Sequence, residues 1–108
     1  IDVALMEKAQ GVAVVPTRFR WSDVGSWPAA MEFHEADAEG NVATGETILL
    51  ETFNCAFFGG RRLIAASGVS DLIVVDDEDA LLICHRDKAQ SVKKIVERLR
   101  AEGREDLL

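Results

Sequence analysis

The string Trp21-Ser22-Asp23-Val24-Gly25-Ser26-Trp27 is where this sequence concentrates residues able to do chemistry. It reads as a strand end, a turn carrying a carboxylate and a glycine, and then a helix start. Asp23 offers a hard oxygen ligand for a divalent cation, and Gly25 lets a ligand approach the backbone. A helix start beside them favours an anion, so the string suits a phosphate and a metal ion together. In an open α/β sheet such a segment falls outside the carboxyl ends of the strands, where ligands bind. The structural alternative is that Asp23 hydrogen-bonds its own turn and both tryptophans are core.

Other reactive types are less well placed. His34 and His85 stand apart from each other and from any cluster with ligand spacing, which marks them as structural. Asp76-Asp77-Glu78-Asp79 lacks the spacing and the glycine of a calcium loop and reads as an acidic hairpin turn. Gly59-Gly60 before Arg61-Arg62 imitates a phosphate cradle, but no helix follows, so a hairpin turn is expected there. Arg18 and Arg20 flank Phe19 and would share one strand face as an exposed pair. Cys55 and Cys84 have no CxxC spacing and read as two buried thiols rather than a disulfide framework.

The elements that must position these groups fall into three parts. Ile1, Leu5 and Ala9 recur every fourth residue and predict an opening helix, stopped by Gly11. Val12-Ala13-Val14-Val15 is a continuous apolar run ended by Pro16, as in a strand covered on both faces. Phe19 to Trp21 would be a second short strand. Ser26 can N-cap a helix from Trp27 to His34, with Pro28 tolerated in its first turn. Residues 1–34 therefore read as α/β architecture.

A polar stretch from Glu35 to Asn41 marks a subdomain boundary, with Gly40-Asn41 as a turn signal. Residues 35–86 are then β-rich. Strands are expected at Thr47 to Thr52, Cys55 to Phe58, Leu63 to Ala66, Leu72 to Val75 and Ala80 to Cys84. Strands this short and evenly spaced indicate a sandwich, a barrel or a coil of β-helix, and periodicity does not choose among them. Residues 87–108 form the last part. Asp87 with Gln90 fits a capping box, and Ala89, Val92, Ile95, Val96 and Leu99 make the apolar stripe of a helix over 88–102 packed on the β-region. Gly103 ends that helix, and Arg104 to Leu108 are expected to fray.

The chain has 48% hydrophobic and 29% charged residues, a globular composition sufficient for one compact domain or the end of a larger one. A formal charge of −7 argues against nucleic acid or an anionic membrane as the main partner. A small phosphorylated ligand remains compatible, because one metal ion offsets its charge locally. No apolar run approaches the roughly 20 residues of a membrane helix, and no secretory signal is present, so a cytoplasmic location is expected. The chain opens on Ile1, already inside a helical pattern without an N-cap, which reads as a cut chain.

Ile1-Asp2, Met6-Glu7-Lys8-Ala9, Val12 to Pro16 and Trp21 to Trp27 together resemble the closing section of bacterial mannose-1-phosphate guanylyltransferases. The likeness continues in order through Asn54-Cys55, Asp71 to Val75, Asp79 to Leu82 and Arg86 to Gln90 with Val92-Lys93-Lys94. The Trp-Ser-Asp-Val-Gly-Ser-Trp string is the diagnostic part; Asp-Ala-Leu-Leu is weak alone. The resemblance implies a sugar nucleotidyltransferase making GDP-mannose and pyrophosphate from GTP and mannose 1-phosphate. It implies a Rossmann-like catalytic domain, of which residues 1–34 are the end, followed by a short left-handed β-helix and a C-terminal helix. Asp23 would bind Mg²⁺, or a similar divalent cation, beside the sugar phosphate. Glu7 would approach the sugar hydroxyls, Lys8 a phosphate, and Gly25 the substrate. The nucleotide-binding loop and the second carboxylate would belong to an N-terminal catalytic part outside this chain, leaving the fragment inactive alone. The alternative is a structural or oligomerisation module, as in a homodimer, of a related sugar-1-phosphate nucleotidyltransferase.

Overall fold

The computed structural model describes Gly25 and residues 27–108. The expected opening helix, the strands at Val12 to Val15 and Phe19 to Trp21, and the Ser26 cap lie outside the described residues. The first described element is α1, Trp27–Met31. Pro28 sits in its first turn, where a missing N–H costs nothing. α1 is shorter than the expected span to His34. After Met31, the buried residue of the helix, the chain tightens into bonds from Glu32 N to Ala29 O, Phe33 N to Ala30 O and His34 N to Met31 O.

Six strands follow: β1 Val42–Ala43, β2 Thr47–Leu50, β3 Ala56–Phe58, β4 Ile64–Ser67, β5 Leu72–Asp76 and β6 Leu81–His85. Four of them form one sheet in the order β1-β3-β5-β6, while β2 and β4 form a second. β1 with β3, β3 with β5 and β2 with β4 all pair in parallel. Consecutive strands from β1 to β5 thus alternate between sheets, so the chain winds as a coil. The first turn spans 14 residues, from the pairing of residue 42 with 56, and the next 17, from the pairing of 47 with 64, 56 with 73 and 53 with 70. The Phe53–Ser70 bridge supplies a third side. Among the sandwich, barrel and β-helix that the strand spacing permits, the structure is the β-helix. β5 and β6 then close it with an antiparallel hairpin.

The corners carry left-handed backbone in register. Gly40, Asn54 and Asp71 have φ of 79°, 53° and 57°, and Asn54 N and Asp71 N each donate back to the preceding turn, to Glu39 O and Phe53 O. A Cβ on Gly40 would lie 2.5 Å from Asn54 Oδ1, so this corner needs glycine for both its φ and its close contact. Asn and Asp are the side-chain-bearing residues that tolerate such φ best. The first coil is stapled by Asn41, which is buried. Its Nδ2 donates to Thr52 O at 2.7 Å, and its Oδ1 accepts from Cys55 N at 3.0 Å. Asp37 Oδ1 accepts from Asn41 N at 2.8 Å.

Two apolar clusters lie on opposite faces of the larger sheet. Cys55, Phe57 and Val74 pack inside the coil against Leu49, Ile64 and Ala66. Met31, Val42, Ala56 and Ile73 pack on the other face, with Trp27, Phe58 and Ala89. A sheet covered on both sides explains why Cys55 to Phe58 and Leu72 to Val75 are unbroken apolar runs rather than alternating ones. Phe57 and Ile73 are fully buried, each contributing about 1.5–3 kcal/mol relative to exposure.

Several sequence expectations change here. Gly59-Gly60 is not a hairpin turn, because β3 and β4 belong to different sheets; it turns a corner of the coil. The last helix does not start near Asp87. A 3₁₀ segment, Arg86–Ser91, precedes α2, Val92–Ala101. His85, not Asp87, caps that segment, its Nδ1 accepting from Asp87 N at 3.1 Å. The 3₁₀ segment is the part that meets β5, β6 and α1. On α2, Val92, Val96 and Leu99 are half-buried, but Ile95 is 48% exposed and is not a packing position. Gly103 follows the helix with φ 72°, as expected of a C-terminal stop. The tail is more ordered than expected: Glu105–Leu107 forms a 3₁₀ turn tied by Arg104 and Asp106. The acidic turn after β5 is a hairpin, with Asp77 N donating to Ala80 O at 3.1 Å.

Candidate functional site

α1 and the 3₁₀ segment pack against each other, and a cavity of about 530 Å³ opens where they meet. Gly25, Trp27 and Ala30 line it from the α1 side; Ala89, Gln90, Val92 and Lys93 line it from the C-terminal segment. Trp27 is held by Phe58 of β3, with ring centroids 5.3 Å apart and planes tilted by 31°. Such a tilted aromatic pair is worth about 0.5–1.5 kcal/mol beyond area burial and fixes the indole at the cavity wall. Phe58 also meets His34 at 5.7 Å. β3 therefore positions the residues that follow the Trp21–Trp27 string.

Of the residues the sequence singles out, Gly25 is described; it is exposed and lies on this cavity. Asp23, Glu7 and Lys8 lie outside the described residues. Among the described residues no group of three or more His, Cys, Asp or Glu side chains is arranged to hold a metal ion. Sequence reasoning does not place Gln90 and Lys93 at the cavity. They are more than sixty positions from Gly25, and only the winding of the coil brings the two segments together.

A second cleft, of about 360 Å³, lies at the other glycine corner and is lined by Gly60, Arg61, Arg62 and Asp76 to Glu78. Arg62 Nε meets Asp76 Oδ2 at 2.9 Å, and Arg61 pairs with Glu78. Both guanidinium groups are thus neutralised by the acidic hairpin, which agrees with reading this segment as structural. Asp76 Oδ1 is buried without a hydrogen-bond partner. Cys55 and Cys84 are free thiols, Cys55 fully buried with Sγ 3.4 Å from Phe53 O. Partial burial pushes the Cys84 thiol above the ordinary range. His85 serves as a backbone cap and His34 packs on Phe58, consistent with structural roles. No helix among the described residues is long and apolar enough to cross a membrane.

A two-sheeted parallel coil with turns of 14 and 17 residues, closed by a hairpin and followed by a helix, defines a short β-helix domain. Residues 45–99 match the MannoseP isomerase/GMP-like β-helix domain, and the chain belongs to that family. The alginate biosynthesis protein AlgA of Pseudomonas aeruginosa is 41% identical over 106 residues, 98% of this chain and 22% of AlgA. The mannose-1-phosphate guanylyltransferase of Escherichia coli K12 is 42% identical over the same shares. A crystal structure of a mannose-1-phosphate geranyltransferase from Thermus thermophilus superposes with a TM-score of 0.82 at 39% identity. That match covers 92% of this chain and 30% of the other. The chain spans about a fifth of the length of the curated relatives it matches.

Proposed function

We propose that this chain is the β-helix part, with the adjoining active-site turn, of an enzyme that forms GDP-mannose and pyrophosphate from GTP and mannose 1-phosphate. The observation that carries the reading is identity of 41–42% over nearly the whole chain to proteins that include a mannose-1-phosphate guanylyltransferase. Residues 1–34 are, on this reading, the end of a Rossmann-like catalytic domain. The coil after them is a left-handed β-helix that holds the turn in place. A cytoplasmic location accompanies this chemistry.

In the reaction a phosphate oxygen of mannose 1-phosphate attacks the α-phosphorus of GTP, and pyrophosphate leaves in line. The protein has little covalent work to do, so positioning and charge neutralisation dominate. Asp23 is the carboxylate that would hold Mg²⁺ from this chain, together with a carboxylate from the rest of the enzyme. When bound, the ion offsets the charge of two anionic substrates. Gly25 leaves room for substrate at the backbone, and Trp27, fixed by Phe58, forms the adjacent wall. Glu7 and Lys8 are the candidates for the sugar hydroxyls and a phosphate.

The test is pyrophosphate release from GTP and mannose 1-phosphate by the 108-residue chain and by a protein carrying it joined to its N-terminal catalytic part. Release by the longer protein alone is expected. Release by the isolated chain would overturn the division of labour, and release by neither would overturn the activity. A second, compatible reading is an assembly role. Among the described residues β6 is an edge strand, and its Leu81 and Ile83 are each 58% exposed with no Lys, Arg, Asp, Glu or proline along Leu81–His85 to blunt the edge. A homodimer or the catalytic domain would cover it.

A further inference from the structure

The cavity beside Gly25 has a composition that the proposed reaction has not used. Among the described residues its walls are mostly apolar, from Trp27, Ala30, Ala89 and Val92, with the Gln90 amide and the Lys93 ammonium as polar groups. A volume of about 530 Å³ lies within the range of small-molecule sites, roughly 300–1,000 Å³, and such sites combine apolar walls with a few convergent polar groups. The charge at its rim is unmatched. Arg61, Arg62, Arg98 and Arg104 each pair with a carboxylate. Lys93 is exposed, and its side chain, like those of Lys88, Lys94 and Arg100, takes part in none of the ion pairs or hydrogen bonds among the described residues; of these four it alone lines the cavity. An ammonium without a counter-ion beside low-dielectric walls attracts an anion more strongly than one in open water.

We propose that Lys93 is a substrate-binding residue that contacts the phosphate of the sugar phosphate, with the Gln90 amide beside it. The proposal rests on the reading of the chain as part of a mannose-1-phosphate guanylyltransferase. Gly25, on the cavity wall, is two residues from Asp23 in the sequence, the residue proposed above to hold the metal ion beside the sugar phosphate. The indole of Trp27 and the methyl groups of Ala30, Ala89 and Val92 face the ring carbons of the sugar. The C-terminal segment thereby closes the site from the far side of the coil. Lys94 provides an internal control. It is about 100° further round the helix and does not line the cavity.

The experiment uses the full-length protein and two readouts. In steady-state kinetics, Lys93→Met raises KM for mannose 1-phosphate by about tenfold to a hundredfold, the loss expected for one charge-assisted hydrogen bond. The change in kcat is smaller, Lys93→Arg recovers most of the loss, and Lys94→Met is without effect. A rise in KM for GTP instead, with that for mannose 1-phosphate unchanged, overturns the assignment to the sugar phosphate and moves the contact to the nucleotide. The second readout needs no turnover: reductive methylation of Lys93, followed by mass spectrometry, slows relative to Lys94 when mannose 1-phosphate is added. Unchanged methylation of Lys93 and an unchanged KM in Lys93→Met together overturn the site. Wild-type protein that forms no GDP-mannose, yet shows Lys93 protected by mannose 1-phosphate, separates failure of the proposed reaction from failure of this contact.

Discussion

Replacing Asn41 with alanine removes the staple of the first coil. In the folded chain Asn41 is 4% exposed and satisfies two backbone groups that no strand partner reaches, Thr52 O at 2.7 Å and Cys55 N at 3.0 Å. Cys55 is fully buried, so its N–H has no route to water once the amide is gone. Leaving a buried donor or acceptor unsatisfied costs about 1–3 kcal/mol each, giving roughly 2–6 kcal/mol for the pair. That is a large part of the roughly 5–15 kcal/mol stability of an ordinary domain. The assay is urea unfolding followed by circular dichroism, with the midpoint falling and the slope unchanged. A loss below about 1 kcal/mol at constant slope would refute the reasoning, since it would mean that water reaches Thr52 and Cys55 when Asn41 is trimmed.

Two further outcomes follow from the corners and the thiols. Gly68→Ala meets open space at φ 68° and should lose about 1–2 kcal/mol from backbone strain alone. Gly40→Ala should lose more, because its Cβ would sit 2.5 Å from Asn54 Oδ1; equal losses in the two variants, read from thermal unfolding, would argue against the stacked corner. Cys84 should alkylate faster than Cys55 in the folded protein, since Cys55 is fully buried. The midpoint of the Cys84 rate profile against pH should lie above the ordinary thiol value, because burial favours the neutral form. The stability this contributes is present below the ordinary thiol value and is lost as pH rises through the raised one. A rate profile like that of a free thiol, measured with iodoacetamide, would contradict the burial.

Much of the β-region is legible in the sequence because its breaks are chemical. Gly40, Asn54 and Gly68 sit where the chain needs positive φ, and the strands fall between them. What local pattern does not reveal is which strand meets which. Gly59-Gly60 signals a change of direction equally well for a hairpin and for a corner between sheets, and the partner 17 residues away decides. The spacing of Asn54 and Asp71, which matches that repeat, is a signal that could have identified the coil. The capping box at Asp87 misled because His85, the last residue of β6 and the partner of Leu72, supplies the acceptor first. Gly25 and Trp27, from the string the sequence singles out, line the cavity, whereas Lys93 reads as ordinary helix surface until the fold brings the C-terminal segment beside α1.

On the proposed function, Asp23 serves a guanylyltransferase of which this chain is a part. The direct measurement is steady-state pyrophosphate release from GTP and mannose 1-phosphate by the full-length protein and its Asp23→Asn variant across a magnesium titration. Asparagine is nearly isosteric, so unfolding curves should coincide, while one negative charge is lost where two anionic substrates meet. Charge-stabilising contacts of this kind are worth roughly 10²–10³ in turnover, or about 3–4 kcal/mol. A fall in kcat of that order is expected, partly recovered at high magnesium, with a smaller change in KM for GTP. Near-normal turnover of Asp23→Asn at limiting magnesium would contradict it and leave Asp23 a residue of the turn alone.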